Sequence, residues 1–117
     1  MAAPTISSLT DHVADIDAGA HVTALGWLGG TAAFALGDGE TLLVTGEEQK
    51  RVAAHPDGTA LVAASDGKRL VTGGDDGRIV AVTADGGIEE VADEKGRWID
   101  AIVAGSDGTL AWSAASV

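Results

Sequence analysis

The sequence predicts an all-β chain of short antiparallel strands, and three observations predict it. First, Asp-Gly recurs at Asp38-Gly39, Asp57-Gly58, Asp66-Gly67, Asp76-Gly77, Asp85-Gly86 and Asp107-Gly108. From Asp57 to Asp85 the pairs fall nine or ten residues apart, and the two wider gaps hold further turn signals at Gly46-Glu47-Glu48 and Glu94-Lys95-Gly96. Glycine behind aspartate supplies the positive φ that tight hairpin turns require. Second, the segments between the turns are rich in Val, Leu, Ile and Thr, which suit a pleated surface. Third, Leu61–Ala64, Ile79–Val82 and Ile102–Ala104 are continuous apolar runs rather than alternations. Such strands are expected to be covered on both faces.

The elements follow in order. Val22–Leu28 reads as the first strand, with a turn at Gly29-Gly30. Thr31–Leu36 comes next and ends at Asp38-Gly39, followed by Thr41–Thr45 and, after Gly46-Glu47-Glu48, by Lys50–Ala54. The turn His55-Pro56-Asp57-Gly58 opens a second set: Ala60–Ala64, Arg69–Thr72, Ile79–Val82 and Ile88–Ala92. A third set holds Trp98–Ala104 and Thr109–Ala114. Ahead of all of them, Ile6, Leu9, Val13 and Ile16 fall at helical spacings, with Ser7 or Ser8 placed as an N-cap. A brief helix or coil is expected over Pro4–Leu9, then a strand over His12–Ile16, where an outermost strand belongs.

Corresponding turns recur 37 to 41 positions apart: Gly30 with Gly67, Gly39 with Gly77, Gly58 with Gly96, Gly67 with Gly108. Four strands in a period of about 40 is the arithmetic of a β-propeller blade. On this reading residues 1–20 are an N-terminal segment with a ring-closing strand, 21–58 are blade 1, 59–96 are blade 2, and 97–117 are the first half of blade 3. Propellers hold about four to eight blades. The chain is therefore expected to be the opening portion of a longer propeller, with open sheet edges through which it self-associates, or a chain that completes its ring by oligomerising.

The run Arg69-Leu70-Val71-Thr72-Gly73-Gly74-Asp75-Asp76-Gly77-Arg78-Ile79-Val80-Ala81-Val82 resembles the centre of a WD40 repeat. His55-Pro56-Asp57-Gly58 stands in the loop where that family places its histidine. The resemblance runs from about Ala20 to the end and looks like the divergent bacterial propellers grouped with the WD40-like domain of an anaphase-promoting-complex subunit. It implies a buried hydrogen-bonded set in which His55, Thr72 and Asp76 supply the imidazole, the hydroxyl and the carboxylate. The family's Trp-Asp dipeptide is missing: its place holds Val82-Thr83 in the second repeat and falls near Val44-Thr45 in the first. The Gly-His dipeptide is absent as well.

Charge narrows the partners. Eighteen acidic and seven basic residues give a formal net charge of −11, which repels phosphate backbones and anionic lipid. Nucleic acid and membrane surfaces are excluded as first readings, and aromatic residues, at 3%, are too few for a base-stacking surface. No segment approaches the ~18 apolar residues of a membrane helix. Residues 1–20 lack a basic region, and Asp11, Asp15 and Asp17 interrupt any apolar stretch, so no secretory signal is read. The absence of cysteine excludes disulfides and thiol chemistry, and the cytoplasm is the expected compartment.

The residues that bear chemistry form no recognisable site. Asp75-Asp76 and Asp93-Glu94 present oxygens, yet a calcium ion takes about six or more of them, and turn formation accounts for the pairs. His12, His21 and His55 lack zinc spacing, and no Gly-x-Ser-x-Gly elbow occurs. Gly73-Gly74-Asp75-Asp76-Gly77 lacks the Lys-Ser/Thr of a phosphate loop, and its acids repel phosphate. Lys50-Arg51, Lys68-Arg69, Arg78 and Arg97 follow turns, where charges keep strand edges soluble; an anion-binding rim is the alternative. Trp27 and Trp98 lie in inner-strand segments and are expected to be buried between blades, or else to line a ring face as anchors. No catalytic residue, metal or cofactor is expected. The leading function is a non-catalytic scaffold for protein–protein interaction, by the family resemblance. The rivals are a propeller-fold hydrolase or lactonase with a metal site completed by further blades, and a structural assembly unit.

Overall fold

The computed structural model describes residues 20–114. The helix or coil expected over Pro4–Leu9 and the strand expected over His12–Ile16 lie outside the described residues. Within them the fold is all-β, with ten strands and no helix: β1 (Val22–Leu28), β2 (Thr31–Leu36), β3 (Thr41–Thr45), β4 (Glu48–Val52), β5 (Ala60–Ser65), β6 (Arg69–Gly74), β7 (Arg78–Thr83), β8 (Ile88–Asp93), β9 (Ile99–Ala104) and β10 (Leu110–Ala114). They form three antiparallel sheets in chain order: β1-β2-β3-β4 (sheet 1), β5-β6-β7-β8 (sheet 2) and β9-β10 (sheet 3). Two four-stranded sheets and a two-stranded third sheet are thus stacked in series, an arrangement consistent with successive blades.

Every strand falls within two residues of the expected one at both ends. The largest shift is β4, expected at Lys50–Ala54 and found at Glu48–Val52. Its start moves back because Glu48 pairs directly with Thr45 across a turn in which Gly46 takes a φ of 60°. Its end moves back because the chain turns inward after Val52 to bury Ala54 and His55.

Each sheet has a leading face, toward the earlier part of the chain, and a trailing face. Between sheets 1 and 2 lies one apolar core, in which Ala33, Ala35 and Leu43 meet Ala60, Leu70, Val80 and Val82. Between sheets 2 and 3 lies another, in which Val71, Ile79 and Ala81 meet Ile99, with Ile102, Leu110 and Trp112 packed against them. A third set, Ala32, Phe34, Leu36, Leu42 and Val44, is buried on the leading face of sheet 1. Sheet 2 is thus covered on both sides, and Ile79–Val82 is fully buried as its unbroken apolar run requires.

Small residues set the spacing of the stack. A Cβ on Gly26 of β1 would lie 2.9 Å from the Cβ of Ser65 in β5. A Cβ on Gly73 of β6 would lie 2.7 Å from the Cβ of Ile99 in β9. Both are shorter than van der Waals contact, so the neighbouring sheets sit where only glycine lets them sit. The hydroxyl of Ser65 also donates to the carbonyl of Trp27 at 3.0 Å, a polar tie from sheet 2 to sheet 1.

Three expectations are corrected. Trp27 and Trp98 are not buried between sheets: they are 43% and 56% exposed. Trp27 pairs with Ala32 and therefore lies on the leading face of sheet 1, which sheet 2 does not cover; Trp98 precedes β9 and falls outside the ladder. Ile102–Ala104 reads as a doubly covered run, yet Val103 is 65% exposed because no described sheet packs on the trailing face of sheet 3. Among the turn glycines, Gly39, Gly67, Gly77, Gly86 and Gly108 have positive φ, and Gly58 does not. Gly58 closes a turn onto the carbonyl of His55, and it is small because the side chains of Asp75 and Asp76 lie against it.

Candidate functional site

His55, Thr72 and Asp76 meet in one buried cluster. His55 lies in the loop between β4 and β5, Thr72 in the middle of β6, and Asp76 in the turn between β6 and β7. The Nε2 atom of His55 is 2.7 Å from Thr72 Oγ1, and Nδ1 lies 3.0 and 3.2 Å from the two carboxylate oxygens of Asp76. Since Nδ1 faces only carboxylate oxygens, it carries the proton and donates. In the neutral ring Nε2 then accepts from the Thr72 hydroxyl. Gly74 leaves room for the ring, since a Cβ there would stand 2.7 Å from Nδ1.

The backbone around this cluster is fixed from both sides. The N–H of His55 donates to the carbonyl of Gly39 at 2.9 Å, in the β2–β3 turn of sheet 1. The neighbouring Asp75 accepts from the N–H of Thr59 at 2.9 Å and donates its own N–H to the Thr59 carbonyl. Asp76 also accepts from the N–H of Arg78 at 3.0 Å. The two acids of this turn are therefore committed to backbone and imidazole. His55 belongs to the end of sheet 1 by its main chain and to sheet 2 by its side chain: it is a strut between consecutive blades.

The order Thr–His–Asp has the connectivity of a nucleophile, base and orienting acid. Burial separates it from that chemistry. Thr72 and His55 are both fully buried, and Thr72 Oγ1 lies 3.3 Å from the carbonyl of Val80 on the next strand. A carbonyl substrate has no approach to that oxygen in this packing.

The strut recurs with different chemistry one sheet later. Counting by strands, β5 begins at Ala60 and β9 at Ile99, which places Glu94 where His55 stands. Trp112 pairs with Ile102 as Thr72 pairs with Ala63. The N–H of Glu94 donates to the carbonyl of Gly77 at 2.7 Å, repeating the bond from His55 to Gly39. Its carboxylate accepts from the indole Nε1 of Trp112 at 2.8 Å and also pairs with Arg97 at 3.0 Å. Sequence reasoning missed this pair because the repeats were aligned on their turns, where the longer loop of sheet 3 shifts the count.

The Asp-Gly turns at the opposite end of the sheets use their aspartates on their own backbone. Burial pushes the carboxyl of Asp66 up, but the N–H groups of Lys68 and Arg69, with the Arg69 guanidinium, together hold it below the ordinary value. Asp85 is held low by the Thr83 hydroxyl and then the Gly87 N–H, and Asp107 by the N–H of Thr109. Of the basic residues after turns, Arg51 pairs with Glu40, Arg78 with Glu90, and Lys50 donates to the carbonyl of Asp85. An open cleft of about 520 Å³ separates the β5–β6 turn from the β9–β10 turn, lined by Asp66, Lys68, Arg69, Ser106 and Asp107. Its mixed charges favour no single ligand class.

Among the described residues, no group of three or more His, Cys, Asp or Glu is placed to hold a metal ion. No helix among them is long and apolar enough to cross a membrane. Compared with known proteins, the chain matches no family model, no curated protein and no solved structure.

Proposed function

We propose that the chain is part of a WD40-like propeller that works as a non-catalytic scaffold for a protein partner. The observation that carries this reading is the division of labour among its side chains. The groups with catalytic potential, His55, Thr72 and Asp76, are enclosed and hold blades together. The large side chains suited to anchoring a partner, Trp27 and Trp98, are exposed. Aromatic anchors dominate protein–protein affinity where they are desolvated on binding. The net charge of −11 favours a partner with a basic contact region over nucleic acid or an anionic membrane. The cytoplasm is the proposed compartment, in keeping with the lack of cysteine.

Affinity capture with the full chain, run beside Trp98→Ser and Trp27→Ser, tests the reading. One stoichiometric protein should be retained by the wild type and weakened about tenfold or more by one of the substitutions. A partner indifferent to both, or hydrolysis of small esters that depends on added calcium, would contradict it.

A further inference from the structure

Five of the six Asp-Gly pairs share one device. The N–H two residues beyond the aspartate donates to its Oδ1: Glu40 to Asp38, Lys68 to Asp66, Arg78 to Asp76, Gly87 to Asp85 and Thr109 to Asp107, at 2.9 to 3.1 Å. The sixth pair, Asp57-Gly58, lacks it. The N–H of Thr59, which would hold Asp57 in the same way, donates instead to Asp75 Oδ1 in the β6–β7 turn at 2.9 Å. Among the described residues nothing donates to the Asp57 carboxylate, and Asp57 is exposed. Gly58 is also the one glycine of the six whose φ is not positive.

An aspartyl-glycyl bond carries its own reactivity. No Cβ shields the glycine nitrogen, which can reach the Cγ of the preceding aspartate. As the N–Cγ bond forms, the carboxyl hydroxyl leaves as water with the N–H proton, and a five-membered imide results. Water then adds to either carbonyl. Opening at Cγ restores aspartate. Opening at the main-chain carbonyl breaks the old peptide bond, so the chain runs through Cβ and Cγ and the former main-chain carboxylate is free. One water leaves and one returns, nothing is oxidised or reduced, and the charge is unchanged. A carboxylate that accepts hydrogen bonds resists this step. Those bonds hold it ionised, whereas loss of hydroxyl requires the neutral acid, and they must break before Cγ can turn toward the nitrogen. The carboxyls of Asp66, Asp85 and Asp107 do lie below their ordinary value.

We propose that Asp57-Gly58 is the site of spontaneous isoaspartate formation in the folded chain, and that the fold shields the other five pairs. Water is the only co-reactant. The bond concerned lies in the loop between β4 and β5, which joins sheet 1 to sheet 2. On one side of it the N–H of His55 is tied to Gly39 in sheet 1, and on the other the N–H of Thr59 is tied to Asp75 in sheet 2. The β-linked product adds one carbon to the main chain between these two ties. Conversion therefore lengthens the joint that carries His55 into its buried cluster.

Ageing of the full chain tests this, at mildly acidic pH and below its melting transition, beside a sample held unfolded in urea. Proteolytic mapping with electron-transfer fragmentation reads each site and separates Asp57 from Asp66. Enzymatic methylation of isoaspartyl carboxylates gives the total. In the folded chain Asp57 should convert at least about tenfold faster than any other pair, the factor that one lost hydrogen bond to a charged group supplies. In urea, where every such bond is gone, the six should convert at similar rates. Asp57→Glu, whose longer side chain cannot close the five-membered ring, should remove most of the folded-state total. Asp57→Ser takes its place if circular dichroism shows that the first variant is not folded. Any of the five converting as fast as Asp57 in the folded chain would overturn the proposal. So would an unaltered Asp57 there, or an undiminished total in the variant. The same preference for Asp57 in urea would also overturn it, since local sequence rather than the fold would then set the rate. The proposal does not rest on the scaffold reading, and loss of one leaves the other standing.

Discussion

β6 and β10 hold the same place in successive sheets, yet their surroundings are opposite. β6 is buried from Leu70 through Gly74, because sheets 1 and 3 cover it from both sides. β10 alternates half-buried and exposed residues, because only sheet 2 packs against it. The sequence follows the coverage. Gly73 stands under Ile99 and has no space for a side chain. At the matching position of sheet 3, Ser113 has space, and its hydroxyl bonds to Asp100. The struts differ in the same way: the one into β6 is a buried imidazole–hydroxyl–carboxylate chain, and the one into β10 is a single bond from indole to a partly exposed glutamate. Two-sided coverage allows a polar network sealed from water, whereas a one-sided sheet meets its polar needs at the surface.

The difference can be broken at the turns first. Gly77 has a φ of 81°, and a Cβ there would stand 2.8 Å from the backbone Cα of Gly96. Gly108 of sheet 3 has a φ of 89°, with open space around it. Gly77→Val should cost about 3 kcal/mol or more, from left-handed strain and a clash with main chain that cannot move aside. Gly108→Val should cost only the strain, about 1–2 kcal/mol. Urea denaturation midpoints compare the two, and equal losses would show that the enclosure of the β6–β7 turn is misread.

The struts come next. His55→Ala leaves Thr72 and Asp76 without their partner in a closed site and should cost about 3 kcal/mol. Glu94→Ala frees an indole N–H that water can reach and should cost about 1 kcal/mol. If Glu94→Ala proves as damaging as His55→Ala, burial is not what separates the two struts.

Gly73→Ala tests spacing alone. Its added methyl must displace Ile99, so sheet 3 should loosen and stability fall by about 1–3 kcal/mol. Ser113→Ala at the matching position should stay within about 0.5 kcal/mol. Thermal melts followed by the fluorescence of Trp112, which packs between the two sheets, read both.

The smallest expected effect lies in acid. Asp66 of sheet 2 and Asp107 of sheet 3 are both held below their ordinary value. A group depressed in the folded state contributes stability that is complete above its unfolded pKa and is lost as pH falls through the folded one. Stability should therefore hold down to about pH 4 and decline below it, and Asp66→Asn and Asp107→Asn should each flatten that decline. A decline beginning near neutrality would point to other groups.

Much of this architecture was legible in the residues. Asp-Gly pairs mark turns because few other dipeptides reach positive φ without strain, and the strands between them have little freedom in length. His55, Thr72 and Asp76 were legible through the resemblance to a WD40 repeat, which implies an imidazole, a hydroxyl and a carboxylate in one buried set. What covers a strand was less legible. Ile79–Val82 and Ile102–Ala104 look alike in composition, yet one is enclosed and the other has Val103 facing outward. Coverage is a property of the neighbouring sheet, and a run of apolar residues cannot report which neighbours it has. Trp27 and Trp98 were misjudged for the same reason. Glu94 and Trp112 were hidden differently: neither is the residue type of its counterpart, so only strand register reveals the match.

Among the described residues, sheet 2 is enclosed between neighbouring sheets while sheet 3 is covered on one side only. Hydrogen exchange of the dilute monomer tests it most directly, since exchange rates report local opening strand by strand. Backbone amides of Val71–Gly74 and Ile79–Val82 should exchange only on global unfolding, and those of Ala111–Ala114 at least about a hundredfold faster. Equal protection of β6 and β10 in a species that sediments as a monomer would contradict the account.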